Sequence, residues 1–288
     1  MKIKFCLSAL FLTLVAFILP ALSAGQSPVM VTRVVSLSPI ITETIYLLGA
    51  QDRLVANTHY CNVPPDAAKK EKIGSVTQVN VEKIISLSPD LVITSALTRE
   101  KQIQVLKNQG INIMEIENPK TFDQMCAITR EIGQALGRER EAVAIVAAAQ
   151  TQVKQIRERV SCFSPRRVFI QIGLKPLHTV NKDLFINEFI LLSNGVNIAQ
   201  DQPSGIYSRE MVIRENPDVI LIATMGTSKK AGFLEKERWM KFSSLRAGVN
   251  NEIHVLDPEM ICSPTPASFA MGLAQVASLI HPEAGHDQ

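Results

Sequence analysis

Aromatic residues are scarce in this chain: they make up 5% of its 288 residues, with one tryptophan, Trp239. Any aromatic-lined pocket must draw on few residues, and a flat ligand finds few rings to rest on. No two cysteines stand in CxxC spacing, so zinc-ribbon and thioredoxin-like chemistry have no basis in the sequence. No basic cluster marks a nucleic-acid surface. What is present, 46% hydrophobic and 20% charged residues, is ordinary globular material, enough for two domains or one large one.

The first segment is expected to lie outside the fold. Lys2 and Lys4 precede an apolar run from Phe5 to Leu19, followed by Pro20 and the small residues Ala21, Ser23 and Ala24. This is the pattern of a secretory signal cleaved near Ala24; a retained membrane anchor is the other reading. No cysteine follows the cleavage region, so lipidation there is not indicated. Removing both lysines takes the formal net charge from +3 to +1. Cys61, Cys126, Cys162 and Cys262 remain; an exported compartment permits disulfides, and the sequence leaves their pairing open.

One unit occurs twice. Glu82-Lys83-Ile84-Ile85 leads through Pro89-Asp90 into Leu91-Val92-Ile93. Glu210-Met211-Val212-Ile213 leads through Pro217-Asp218 into Val219-Ile220-Leu221, at an offset of 128 residues. Each copy reads as short helix, turn and strand, because proline stops the helix and pushes its predecessor out of the α region. The apolar runs are too short to span a membrane and do not alternate, which fits strands covered on both faces. A single repetition at domain-sized spacing implies two similar lobes.

Strands at 33–37, 53–56, 91–93 and 111–116 alternate with helices at 40–48, 98–108 and 122–136. That alternation predicts a parallel sheet between helices. Arg167–Gln171 restarts the pattern as Arg33–Leu37 began it, with a last strand at 253–256 and a final helix at 267–280. From Arg138 to Val160 there is neither glycine nor proline, which predicts a helix of about 35 Å joining the lobes. The expected divisions are a signal segment at 1–24, a first lobe at 25–137, a connecting helix at 138–161 and a second lobe at 162–288.

Ligands of open α/β sheets bind beyond the carboxyl ends of the strands. Those ends carry Pro39, His59, Tyr60 and Cys61 in the first lobe, and Lys175, His178, Asp257 and Cys262 in the second. The loop Thr224-Met225-Gly226 joins them, and Tyr207 lies before the second glutamate helix. His59 with Cys61 admits a thiol-hydrolase or soft-metal reading, although no oxyanion motif accompanies them. His59 and His178 fit either polar pocket walls or axial ligands of a bound metal. Tyr60 and Tyr207 fit either a macrocycle face or a cap on the core. Glu82 and Glu210 each follow a capping residue, Asn80 or Ser208, where a carboxylate complements the helix dipole.

Four stretches carry a resemblance. They are Val35–Pro39 with Thr42-Glu43, the loop Tyr60-Cys61-Asn62-Val63-Pro64-Pro65, Val81–Ile84 through Pro89–Val92, and Arg167–Gly173. They resemble the periplasmic solute-binding proteins of the vitamin B12 and ferric-siderophore class, the receptors of ABC importers. The Cys-Asn-x-Pro-Pro loop and the Gln171-Ile172-Gly173 strand end look most like the cobalamin-binding branch. The resemblance spans essentially the whole mature chain. It implies an α/β fold of two similar lobes with mostly parallel sheets flanked by helices, joined by a single long helix, the class III arrangement.

The resemblance further implies a monomeric, non-enzymatic periplasmic protein with no cofactor of its own. Such a protein takes up a corrinoid, or in sibling branches haem or a ferric siderophore, and passes it to a permease dimer in the inner membrane. Glu82 and Glu210 are then expected to pair with permease arginines. Three departures stand out. Cobalamin binders usually place several aromatics around the corrin, and here Trp239 lies outside the strand-end loops. Ser193 occupies the place of a disulfide cysteine in the enteric cobalamin binder, and Cys262 precedes Ser263-Pro264 where related proteins often have arginine.

Overall fold

The computed structural model describes residues 30–224 and 229–285; the signal segment, Met225-Gly226 and the last three residues lie outside them. The described residues from Val31 onward pack as one compact unit. Its first half holds β1 (Val34–Ser36), α1 (Pro39–Leu47), β2 (Leu54–Asn57), β3 (Glu71–Lys72), α2 (Val81–Ser86), β4 (Leu91–Ser95), α3 (Glu100–Asn108), β5 (Ile113–Ile116) and α4 (Phe122–Ala135). The strands form one sheet in the order β3-β2-β1-β4-β5, each neighbouring pair parallel. A continuous helix, α5 (Glu139–Val160), follows.

The second half holds β6 (Arg166–Gly173), β7 (His178–Thr179), α6 (Asn187–Leu192), β8 (Gly195–Asn197), α7 (Arg209–Glu215), β9 (Val219–Ile222), α8 (Lys229–Met240), α9 (Arg246–Val249), β10 (Ile253–Val255), α10 (Pro258–Cys262) and α11 (Pro266–Ile280). Its sheet runs β10-β9-β6-β7, with β8 also paired to β6. All its pairs are parallel except β6–β7. Two lobes with mostly parallel sheets and a long connecting helix are thus the architecture of the chain. β3, β7, β8, α8, α9 and α10 fall outside the expected elements. The three strands have two or three residues each, too few to show a period. Gly232 lies inside α8, and its apolar residues do not gather on one stripe.

The repeated Pro-Asp now has a cause. Asp90 accepts from the Thr32 and Arg33 amides at 2.8 and 2.9 Å, which fixes the chain entering β1. Asp218 accepts from the Arg167 amide at 2.8 Å, at the start of β6. Arg33 Nη2 donates to the Leu87 carbonyl at 2.7 Å, and Arg167 Nη2 to the Glu215 carbonyl at 3.0 Å, each closing the end of the repeated helix. Each unit therefore ties its helix end and its own strand to the strand beside it. Hydrogen bonds from Thr32 hold the Asp90 carboxyl below the usual range.

The halves are joined by more than α5. Phe122 of α4 stacks on Phe269 of α11 at 5.0 Å between centroids, and Phe269 stacks on Phe189 of α6 at 4.3 Å. Met125 and Cys126 belong to the same core as Val153, Ile170, Leu221 and Leu273. Burying each large side chain stabilises by about 1.5–3 kcal/mol. The Phe122 amide also donates to the Glu188 carboxylate of α6. A shared core of this kind restrains the lobes where a lone helix would leave them free to pivot.

Candidate functional site

One hydrogen bond joins the helix beyond β1 to the chain beyond β10. Pro39 starts α1 immediately beyond β1, at a position that suits its fixed φ and missing amide proton. One turn later stands Glu43. Across from it, the chain leaving β10 forms α10 and then α11, capped by Thr265 in a reciprocal box with Ser268. Thr265 Oγ1 donates to Glu43 Oε1 at 3.3 Å, linking residues 222 apart in sequence. Burial pushes the Glu43 carboxyl above its ordinary range, the nearby Glu259 carboxylate adds to this, and hydrogen bonds from Ser268 and Thr265 oppose it.

In the first half, sheet order reverses between β1 and β4, the switch point where open α/β sheets admit ligands. A cavity of about 20 Å³ lies there, lined by Ser38, Ser95, Ile116, Asn118 and Met125 among others, with room for one water. Beyond β2 the loop from Thr58 carries Tyr60, 62% exposed, and His59, also exposed. The loop is not loose. Lys72 of β3 turns inward beneath it, its Nζ donating to Asn57 Oδ1 at 2.7 Å and to the Cys61 carbonyl at 3.1 Å.

In the second half, Lys175 is exposed on the loop between β6 and β7, and His178 is half-buried where β7 begins. Asp257 caps α10, accepting from the Glu259 amide at 3.1 Å. The end of β6 is held by a buried polar network. Trp239 Nε1 donates to Gln171 Oε1 at 2.8 Å, while Gln171 Nε2 donates to the Gly173 carbonyl at 3.0 Å and to Glu235 Oε1 at 2.9 Å. Glu235 also pairs with Arg209 and Arg238, and the Arg209 guanidinium lies 4.5 Å from the centroid of the Trp239 ring. Burial pushes the Glu235 carboxyl up, but these donors outweigh it and hold it below its usual range. Arg209 opens α7, so the network also fixes the turn that carries Glu210.

Three expected wall residues are corrected. Cys61 is fully buried, its Sγ 3.2 Å from Thr58 Oγ1, so it offers no thiol to a ligand or substrate. Tyr207, 6% exposed, packs 5.6 Å from the Phe169 ring in the second half's core and so takes the capping role. Cys262 lies against the Ala223 carbonyl, with burial pushing its thiol up to about 12. In each case the apolar body of the side chain found a packed site, which the position of the loop alone does not reveal. The four cysteines of the described residues are free thiols. Among the described residues no group of three His, Cys, Asp or Glu side chains is arranged to hold a metal ion.

Glu82 and Glu210 occupy equivalent places. Each is exposed in the first turn of its helix, behind a cap whose side-chain oxygen accepts a backbone amide: Asn80 from Lys83 at 3.0 Å, Ser208 from Met211 at 3.2 Å. Glu43, Lys72 and the Gln171–Glu235 network escaped sequence reasoning. For the network alone the sequence holds a usable signal, Arg209 beside Glu210, a cation in a first helical turn where it opposes the dipole.

Comparison with known proteins gives a consistent picture. The model of the family described as periplasmic binding protein matches residues 34–260. An uncharacterized ABC transporter substrate-binding lipoprotein of Bacillus subtilis is 30% identical over 259 residues, 87% of this chain and 80% of that one. A vitamin B12-binding protein of Yersinia pestis is 32% identical over 194 residues, 66% of this chain and 69% of that one. Among solved structures, the periplasmic vitamin B12-binding protein of Vibrio cholerae superposes with a TM-score of 0.76 at 25% identity, covering 89% of this chain and 99% of that one. A periplasmic haem-binding protein of the same bacterium shares the fold, with a TM-score of 0.78 at 21% identity, covering 87% of this chain and 99% of that one.

Proposed function

The chain belongs to the periplasmic binding protein family, as an extracytoplasmic substrate-binding protein of an ABC transporter, and from that premise we propose that its substrate is a corrinoid. The observation that carries this reading is the 32% identity to a vitamin B12-binding protein, on a chain that projects Tyr60 from a strand-end loop. In this reading Pro39, His59 and Tyr60 face Lys175, His178 and Asp257 across a cleft, and burial of a broad apolar face dominates affinity. His59 or His178 supplies an axial nitrogen if the bound metal takes one. Glu82 and Glu210 dock on the permease. The protein works as a periplasmic monomer after cleavage near Ala24, as a carrier and not an enzyme, with lobes at 25–137 and 162–288 about the helix 138–161.

Haem is the second reading, favoured by the equally close fold of a haem-binding protein. The purified chain from residue 25 onward, mixed in turn with cyanocobalamin, haem and a ferric siderophore and then gel-filtered, separates them by visible spectrum. One corrinoid per chain is expected, with Tyr60→Ala weakening binding by about 1–3 kcal/mol. Retention of haem or the ferric complex alone would move the assignment to that ligand.

A further inference from the structure

β3 is an edge strand, where lysine ordinarily points to water. Glu71 does so, pairing with Lys83 on the surface. Lys72 does the opposite. Its ammonium sits among four oxygens, Asn57 Oδ1 at 2.7 Å, the Cys61 carbonyl at 3.1 Å and the Thr58 and Ala67 carbonyls at 3.2 Å each. An ammonium has three protons for these four acceptors, so one proton is shared. None of the four partners is a carboxylate; carbonyl and amide dipoles surround the charge. Desolvation accordingly lowers the Lys72 pKa, with the Cys61 thiol opposing the change.

The four oxygens belong to the end of β2 and to the loop that follows it. Thr58 and Cys61 flank His59 and Tyr60, and Ala67 ends the loop's return. The carbonyls converge inward on the cation, which leaves the Tyr60 ring to project outward. Around them the loop closes on itself: the Cys61 amide donates to the Thr58 carbonyl at 3.1 Å and the Ala67 amide to the Pro64 carbonyl at 2.8 Å. Converging carbonyls repel one another unless a cation or several donors stand between them. An apolar side chain at position 72 supplies neither.

We infer that Lys72 is a positioning residue for the ligand site, a tethered cation around which the Tyr60 loop is folded. The inference deepens the proposed function, because it assigns the lysine to the wall that carries Tyr60. Its structural half is independent of any ligand. In Lys72→Ala, amide hydrogen exchange across Thr58–Ala67 should quicken about tenfold or more while the amides of β1 and β4 hold their rates. Ethylammonium, which restores the missing cation, should slow the loop again, and ethanol should not. Lys72→Met, which keeps the stem without the charge, should match Lys72→Ala and serves if the alanine variant folds poorly. Loop exchange that stays at the wild-type rate, quickens equally in the strands, or ignores ethylammonium overturns the inference.

The ligand half uses cyanocobalamin. Affinity should fall about tenfold in Lys72→Met and fall little further when Tyr60→Ala is added, because the lysine acts through that ring. Additive losses would overturn the link to Tyr60. Failure of the wild-type chain to bind cyanocobalamin would end the corrinoid reading, with the exchange experiment still deciding the role of the lysine.

Discussion

Asn57 and Asn197 close matching strands, β2 and β8, and both are buried. Asn197 Nδ2 donates to the Val180 carbonyl at 2.9 Å and to Asn187 Oδ1 at 2.8 Å, while its own Oδ1 accepts the Ala199 amide at 2.9 Å. Asn57 Nδ2 donates to the Ala67 carbonyl at 2.9 Å, but its Oδ1 receives the Lys72 ammonium. One half satisfies its asparagine from its own backbone and a neighbouring amide, the other with a cation. The difference follows what each loop presents. The loop after β2 projects an exposed tyrosine over inward-facing carbonyls, whereas the chain after β8 runs on toward a Tyr207 that is itself buried. The repeat that carries Glu82 and Glu210 is built alike in both halves; the loops above it are not.

Replacing the asparagines one at a time breaks or sharpens this comparison. A buried polar group left unpaired costs about 1–3 kcal/mol. Asn197→Ala strands the Val180 carbonyl, Asn187 Oδ1 and the Ala199 amide together. Asn57→Ala leaves Ala67 its contact with Lys72 at 3.2 Å. Urea unfolding should therefore show the larger loss for Asn197→Ala, by about 1 kcal/mol or more. Equal losses would mean that the lysine does not do for one half what amides do for the other.

A smaller effect probes the contact between the halves. Glu43 has a raised pKa in the folded chain, so the stability it contributes is present in the acid range and lost as pH rises through the raised value. Glu43→Gln keeps a hydrogen-bonding side chain and removes the titration. The wild type should lose stability relative to this variant as pH climbs out of the ordinary carboxylate range toward neutrality. A difference that is constant over that range would place Glu43 in water.

Much of the fold was legible because its signals are local. Proline and aspartate at matching offsets marked the repeat, and uninterrupted Arg138–Val160 marked α5, which begins at Glu139. The shared core was not legible, since nothing local in Phe122 announces that it will stack on Phe269, far along the chain. The candidate site divides the same way. Strand-end loops could be placed from the order of elements, but which of their side chains face outward depends on partners elsewhere. Lys72 turns the Cys61 backbone inward and leaves Tyr60 outside; Phe169 draws Tyr207 into the core. The glutamates were the easiest to place, because caps and first turns are set by residues two or three away.

The proposed function divides the labour: in that reading the repeat offers two glutamates to the importer, and the dissimilar loops take the ligand. Glu82→Ala combined with Glu210→Ala tests it most directly, with cyanocobalamin titration and uptake into vesicles bearing the matched importer measured on the same preparation. Exposed charges set docking and encounter more than folding, so corrinoid affinity should stay at the wild-type value while uptake is abolished. Normal uptake by the double variant would reduce both glutamates to helix-end charges and contradict the account.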